Sequence, residues 1–151
     1  LHPTSLRCTV GSMRATFKYL TSLLFLAIVV QVGVAAVGAF NAIDKADNGK
    51  TITKKQIENG FDPHGLFGTI VLLLILLVVI FAFVAKVDPM MKRIAGGLVV
   101  LGALQVFFAW LGTKSAPAGF LHGINALAIY GAAAVLAHRA WTQRAVETVA
   151  V

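Results

Sequence analysis

Two histidines, His64 and His122, are the side chains in this sequence best suited to binding a metal. Each is followed by glycine, and each stands near the start of a long apolar stretch. Imidazole is a common ligand of haem iron and binds through an unprotonated nitrogen. The preceding Asp62-Pro63 is typical of a helix N-cap with proline at the first helical position, and the positive end of a helix dipole disfavours protonation of His64. The pair therefore predicts two neutral imidazoles available for coordination.

A second pattern, Q-V-x-x-A-x-x-G, occurs once before each histidine. Its polar and small positions lie at i, i+4 and i+7, which share one face of a helix; they are Gln31, Ala35, Gly38, Gln105, Ala109 and Gly112. We expect alanine and glycine at the depth of the histidines and each glutamine about 10 Å deeper, at 1.5 Å per residue. Two interpretations stay open: the small residues make room for a flat cofactor, or they form close-packed helix seams.

The elements that must position these residues are four apolar segments of about 20 residues, the length of a membrane-spanning helix. They run over residues 20–40, 64–85, 94–112 and 118–137. Hydrophobic residues make up 58% of the chain and charged residues 13%, whereas soluble domains carry about 25% charge. Soluble and disordered classes are excluded, and Cys8, the only cysteine, excludes an intrachain disulfide scaffold. The sequence predicts an all-α integral membrane protein.

Short connections between these segments favour an up-down-up-down four-helix bundle, built as a tandem repeat of two helical hairpins. The predicted organisation is a cytoplasmic leader over residues 1–18, the bundle over 19–140 and a cytoplasmic tail over 141–151. Spans two and four are diagonal in such a bundle, with axes about 12–14 Å apart. That distance accommodates a flat cofactor between two imidazoles, which predicts haem b.

The charges of the loops set the expected orientation. The side carrying both termini has eight cations against two anions, and the opposite side has five against four. This asymmetry follows the positive-inside rule and predicts a multi-pass protein of the bacterial plasma membrane with both termini cytoplasmic. Because topology accounts for the net charge of +7, we expect the lipid bilayer and no nucleic acid as a partner.

The loop between the first two spans is long and polar. Within it, Thr53 and Gln56 have the spacing of a capping box. We expect one helical turn over residues 54–59, ended by Gly60.

Three further polar residues have predicted roles near the histidines or at the opposite end. Asn125, one turn after His122, either orients that imidazole or bonds to a neighbouring helix. Lys114 is available to a haem propionate, and His138 is expected to be an interfacial residue that binds nothing. No acidic or basic residue lies inside a predicted span, which disfavours proton-coupled transport and ion conduction.

The glutamines of the odd spans and the His-Gly openings of the even ones resemble a family of small, uncharacterised four-span bacterial membrane proteins, from about Met13 onward. The layout is also similar to one four-helix half of haem A synthase, in which histidines of the second and fourth spans ligate haem. That resemblance implies that His64 and His122 are the matching ligands. That enzyme has an acidic residue before the histidine of its second span, whereas Pro63, which follows Asp62, precedes His64 here. The resemblance therefore implies haem binding and not haem conversion.

The functional prediction is a membrane protein that binds one b-type haem between spans two and four, for electron transfer or haem handling. One alternative is a non-catalytic accessory or scaffold subunit of a larger membrane complex. Another is a small-molecule-binding or lipid-binding bundle lined by Gln31, Gln105 and Asn125. The identity of a redox or complex partner, and whether the protein is an enzyme, stay open.

Overall fold

The computed structural model describes residues 3–143, with side chains from residue 11 onward. It contains four helices: α1 (Pro3–Asp47), α2 (Lys54–Val84), α3 (Pro89–Gly112) and α4 (Ala116–Thr142). No strand occurs within residues 3–143. The all-α prediction is confirmed.

Local signals in the sequence account for the helix starts. At α2, the Thr53 hydroxyl accepts from the backbone N–H of Gln56, and the Gln56 side chain accepts from the backbone N–H of Thr53. At α3, the carboxylate of Asp88 accepts from the first two free N–H groups, at 2.8 and 3.0 Å. The connections before these caps turn through left-handed residues, Gly49 and Lys86.

The helices form an up-down-up-down bundle in which each helix packs against two neighbours. α1 contacts α2 most extensively and also contacts α4, while α3 contacts α4 and, less extensively, α2. The diagonal pairs, α1 with α3 and α2 with α4, do not touch along their backbones within residues 3–143. All four helices are long and apolar enough to cross a membrane, and large apolar side chains cover their outer faces. The protein is therefore a multi-pass membrane protein.

The apolar core occupies the half of the bundle that carries the two ends of the described chain. Its largest fully buried side chains include Phe17 and Leu24 on α1, Ile75 on α2, Leu98 on α3 and Leu136 on α4. Toward the opposite half, the core cluster stops at Ile28, Val71, Leu98 and Ile129 on the four helices in turn. The region with the predicted site therefore begins where aliphatic packing ends.

Two predictions about helix ends are wrong. α2 does not stop at Gly60; it continues through Asp62 and Pro63, so Asp62 is not an N-cap. The capping box at Thr53 starts the helix ten residues before His64, and an internal proline removes only one backbone donor, which membrane helices tolerate. α1 begins at Pro3, so most of the predicted leader over residues 1–18 is helical. The side chain of Cys8 lies outside the described ones.

Candidate functional site

The two predicted ligands come together in the middle of the bundle. The ring centroids of His64 on α2 and His122 on α4 are 6.3 Å apart, with the ring planes at 67°. Both side chains are half-buried. Two imidazoles from diagonal helices therefore lie close together, in an edge-to-face arrangement.

Each histidine is bonded to the glutamine of the helix that precedes it. In the second hairpin, Nδ1 of His122 lies 3.1 Å from the backbone oxygen of Gln105, and Nε2 of His122 lies 3.1 Å from the side-chain amide nitrogen of Gln105. The backbone oxygen only accepts, and the amide nitrogen only donates. Nδ1 of His122 therefore carries the proton, and Nε2 holds the lone pair.

The first hairpin repeats the arrangement. Nδ1 of His64 lies 3.3 Å from the backbone oxygen of Gln31. The amide nitrogen of Gln31 donates to the backbone oxygen of His64 at 2.9 Å and lies 3.3 Å from Nε2 of His64. It also lies 3.0 Å from Nδ1 of His64. Nδ1 of His64 thus contacts both an acceptor and a donor of Gln31, so both neutral tautomers of His64 are compatible with these bonds.

The depth predicted for the glutamines is wrong. They were expected about 10 Å deeper than the histidines, but Gln31 contacts His64 and Gln105 contacts His122 at the same level. For the first hairpin the cause is the start of α2 at Lys54, which puts His64 about 15 Å along that helix. Both glutamines bond to the histidine of their own hairpin.

The small residues of the repeated motif lie beside the neighbouring helix of their own hairpin. A Cβ on Gly38 would lie 2.9 Å from the backbone oxygen of Gly60, and one on Gly112 would lie 3.0 Å from the Cα of Gly119. Ala35 is half-buried and Ala109 is exposed. The two glycines therefore occupy close-packed seams, the second of the two interpretations left open by the sequence, and their contact with a cofactor stays a prediction.

Asn125 is bonded to the neighbouring helix and reaches His122 through a glutamine. Its amide nitrogen donates to the backbone oxygen of Leu101 at 2.9 Å and to Oε1 of Gln105 at 2.6 Å. Asn125 is 8% exposed. It therefore fixes the Gln105 amide that contacts the imidazole.

One residue of the site escaped the sequence analysis. A Cβ on Gly68 would lie 3.1 Å from the amide nitrogen of Gln31, so the glycine makes room for that side chain. Its signal was present: Gly68 stands four residues after His64 and shares its helix face.

The remaining candidates lie away from the imidazoles. Lys114 is exposed on the α3–α4 connection, with Nζ 3.9 Å from the centroid of the Trp110 ring. His138 is exposed near the end of α4, away from the other two histidines. Among the described side chains, no group of three or more His, Cys, Asp and Glu residues could hold a metal ion. The donors at the site are therefore the two imidazoles.

Part of the chain matches a known family model. Residues 53–114 match a family of unknown function, DUF6220. The match covers α2 and α3 and includes His64 and Gln105, whereas Gln31, His122 and Asn125 lie outside it. No curated protein and no solved structure matches the chain. The match fits an uncharacterised four-span family, while the similarity to haem A synthase stays a prediction.

Proposed function

We propose that the protein binds one b-type haem between α2 and α4 and serves electron transfer or haem handling in the membrane. The imidazoles of His64 and His122 would hold the iron. The observation that carries the proposal is the close pair of imidazoles, with ring centroids 6.3 Å apart. A metal bound to two opposed imidazoles through bonds of about 2.1 Å holds the ring centroids about 6.4 Å apart.

The hydrogen bonds of the two rings support the same assignment. A ligating histidine commonly donates its other ring N–H to a backbone carbonyl, which fixes the tautomer and the ring orientation. Nδ1 of His64 and Nδ1 of His122 are both within hydrogen-bond distance of such a carbonyl. To hold the iron, each imidazole would have to give up its contact with the glutamine amide.

The donor set and the packing fit a haem better than a bare ion. A porphyrin supplies its own four nitrogens, so two protein ligands suffice, and the iron supplies one-electron chemistry. The fully buried aliphatic core ends below the histidine layer, so a haem would lie beyond that core, next to the half-buried ring of Phe61. The exposed ammonium of Lys114 is available to a propionate.

The setting we propose is the plasma membrane of a bacterium, with both termini cytoplasmic, an internally repeated hairpin and a redox partner in the membrane. An even number of antiparallel helices brings both ends of the described chain to one side of the bundle. That side carries the larger excess of positive charge, as the positive-inside rule requires.

The test is a reduced-minus-oxidised absorption spectrum of the full chain, purified in detergent after haem-replete expression. We expect a b-type α band and one haem per chain, lost in the His64→Ala, His122→Ala double variant. His138→Ala is the matched control, because it removes an exposed imidazole from another part of the bundle, and it should keep the spectrum. A colourless native protein, or full haem retention by a correctly folded double variant, would refute the proposal.

One observation favours a second candidate, a bundle that binds a small polar molecule. Oε1 of Gln31 is buried and has no hydrogen-bond partner among the described residues. Because buried acceptors are nearly always satisfied, this oxygen is suited to a donor on a ligand. In that case Gln31→Leu would abolish ligand binding, while the double histidine variant would keep most of it.

A further inference from the structure

A cavity lies at the end of the bundle that carries both ends of the described chain, on the opposite side of the core from the histidines. Its volume is about 190 Å³. It is bounded by α1, by the α2–α3 connection at Val87, by Met91 on α3 and by Ala140 near the end of α4. The cavity is therefore independent of the proposed haem site.

Two cations line this cavity. The Nε of Arg14 donates to the backbone oxygen of Ala85 at 3.5 Å, which leaves the terminal nitrogens of the guanidinium for another acceptor. The ammonium of Lys18, one turn along α1, lies 5.8 Å from the centroid of the Trp141 ring. Within residues 11–143 neither cation forms an ion pair. The cavity therefore offers two positive groups to an anion.

The acidic side chain of Asp88, next to Val87 of the cavity lining, is already engaged. One carboxylate oxygen accepts from the backbone N–H groups of Met90 and Met91, and the other accepts from the side-chain amide of Gln143. Asp88 therefore caps α3 and ties it to the residue after α4. It is held by these bonds, and no described carboxylate pairs with Arg14 or Lys18 within residues 11–143.

Aromatic residues place this cavity at the level of lipid headgroups. Trp141 and Tyr19 are exposed and pack edge to face, with centroids 5.8 Å apart. The indole N–H of Trp141 donates to Oγ of Ser22 at 2.8 Å. Tryptophan and tyrosine are enriched where a membrane protein meets the membrane–water interface. Phe17 and Met91 form the apolar floor of the cavity, and each residue is only 1% exposed.

We propose that this cavity binds the phosphate of an anionic phospholipid. Arg14 and Lys18 hold the phosphodiester, and the glycerol and first acyl carbons contact Ala15, an exposed apolar residue of the cavity lining. Basic pockets between transmembrane helices bind acidic lipid headgroups, because they combine positive charge at the interface with an apolar wall beneath it. A free phosphate ion would use the same cations but gain nothing from the apolar floor.

The experiment is native mass spectrometry of the full-length protein in detergent, titrated with phosphatidylglycerol or with phosphatidylcholine of the same acyl chains. We expect phosphatidylglycerol to remain bound under conditions that strip phosphatidylcholine. The Arg14→Gln, Lys18→Gln double variant should bind it more weakly, by about fivefold for each cation removed. The matched control is Lys92→Gln, Arg93→Gln, which removes two cations from α3 that do not line the cavity, and it should bind normally.

A third variant separates a defined cavity from diffuse attraction. Ala15→Phe keeps every charge and fills the cavity from α1, so it should also weaken phosphatidylglycerol binding. It tests the proposal even where the double variant at Arg14 and Lys18 fails to fold. Equal losses in the two charge variants, undiminished binding by Ala15→Phe, or displacement of the lipid by inorganic phosphate at similar concentration would each overturn the proposal.

Discussion

The seam between α1 and α2 predicts opposite effects for the same substitution at two positions of one helix. A Cβ at Gly38 would lie 2.9 Å from the backbone oxygen of Gly60 and 3.1 Å from two ring carbons of Phe61. The oxygen cannot move without displacing α2. At Gly33, also on α1, a Cβ would meet nothing within 4 Å. Gly33→Ala is therefore the matched control for Gly38→Ala.

The magnitudes follow from two general effects. Replacing glycine by alanine inside a helix stabilises it by about 0.5–1 kcal/mol, and both variants gain this. Overpacking costs about 1–3 kcal/mol, and only Gly38→Ala incurs it. We expect Gly33→Ala to be slightly more stable than the native protein and Gly38→Ala to be about 2 kcal/mol less stable than Gly33→Ala.

The assay is reversible unfolding in mixed micelles of a mild detergent and dodecyl sulfate, followed by circular dichroism. Equal stability of the two variants would mean that α1 and α2 are not in close contact at Gly38. The haem content of the same samples decides between the two interpretations of the motif. Lower haem content in Gly38→Ala at unchanged stability would place Gly38 against the cofactor and not in the seam.

Two further predictions concern single side chains whose hydrogen bonds hold helices in place. Asp88→Ala removes the acceptor for two backbone N–H groups at the start of α3. It should lower the free energy of unfolding, measured in the same micelle assay, by about 1 kcal/mol. Asp88→Asn keeps a side-chain acceptor and should recover most of that loss. Asn125→Leu removes the donor to Oε1 of Gln105 and should cost about 1–3 kcal/mol, and an unchanged unfolding transition would contradict that.

The number of helices and their order could be read from the sequence, because the backbone of a membrane span must satisfy its own hydrogen bonds and needs about 20 apolar residues to do so. Helix ends outside the apolar stretches carry no such constraint. The capping box at Thr53 was visible, but Gly60 was interpreted as a helix end and Asp62-Pro63 as a new helix start. Both Gly60 and Pro63 lie inside α2, because the one backbone bond that a proline removes does not end a membrane helix.

The depth of His64 depended on that boundary. Starting α2 at Lys54 moves His64 about 15 Å along the helix and brings it level with Gln31. The sequence identified the partners of the Gln–His pairs without showing that they pair within a hairpin. Contact between side chains depends on the path of each connection, and periodicity along one helix carries no information about that path.

The two Gln–His pairs differ in how firmly the glutamine is held, and this predicts unequal single variants. Oε1 of Gln105 accepts from Asn125, which stands three residues after His122. At the corresponding position, three residues after His64, stands Phe67, which has no donor to offer. Oε1 of Gln31 is therefore buried without a hydrogen-bond partner among the described residues. An unsatisfied buried group costs about 1–3 kcal/mol, so the amide of Gln31 leaves Nε2 of its histidine more readily than that of Gln105. His122→Ala keeps the imidazole that is more easily freed and should retain more haem than His64→Ala in the detergent spectrum. Equal retention by the two variants would show that displacement of the glutamines does not limit binding.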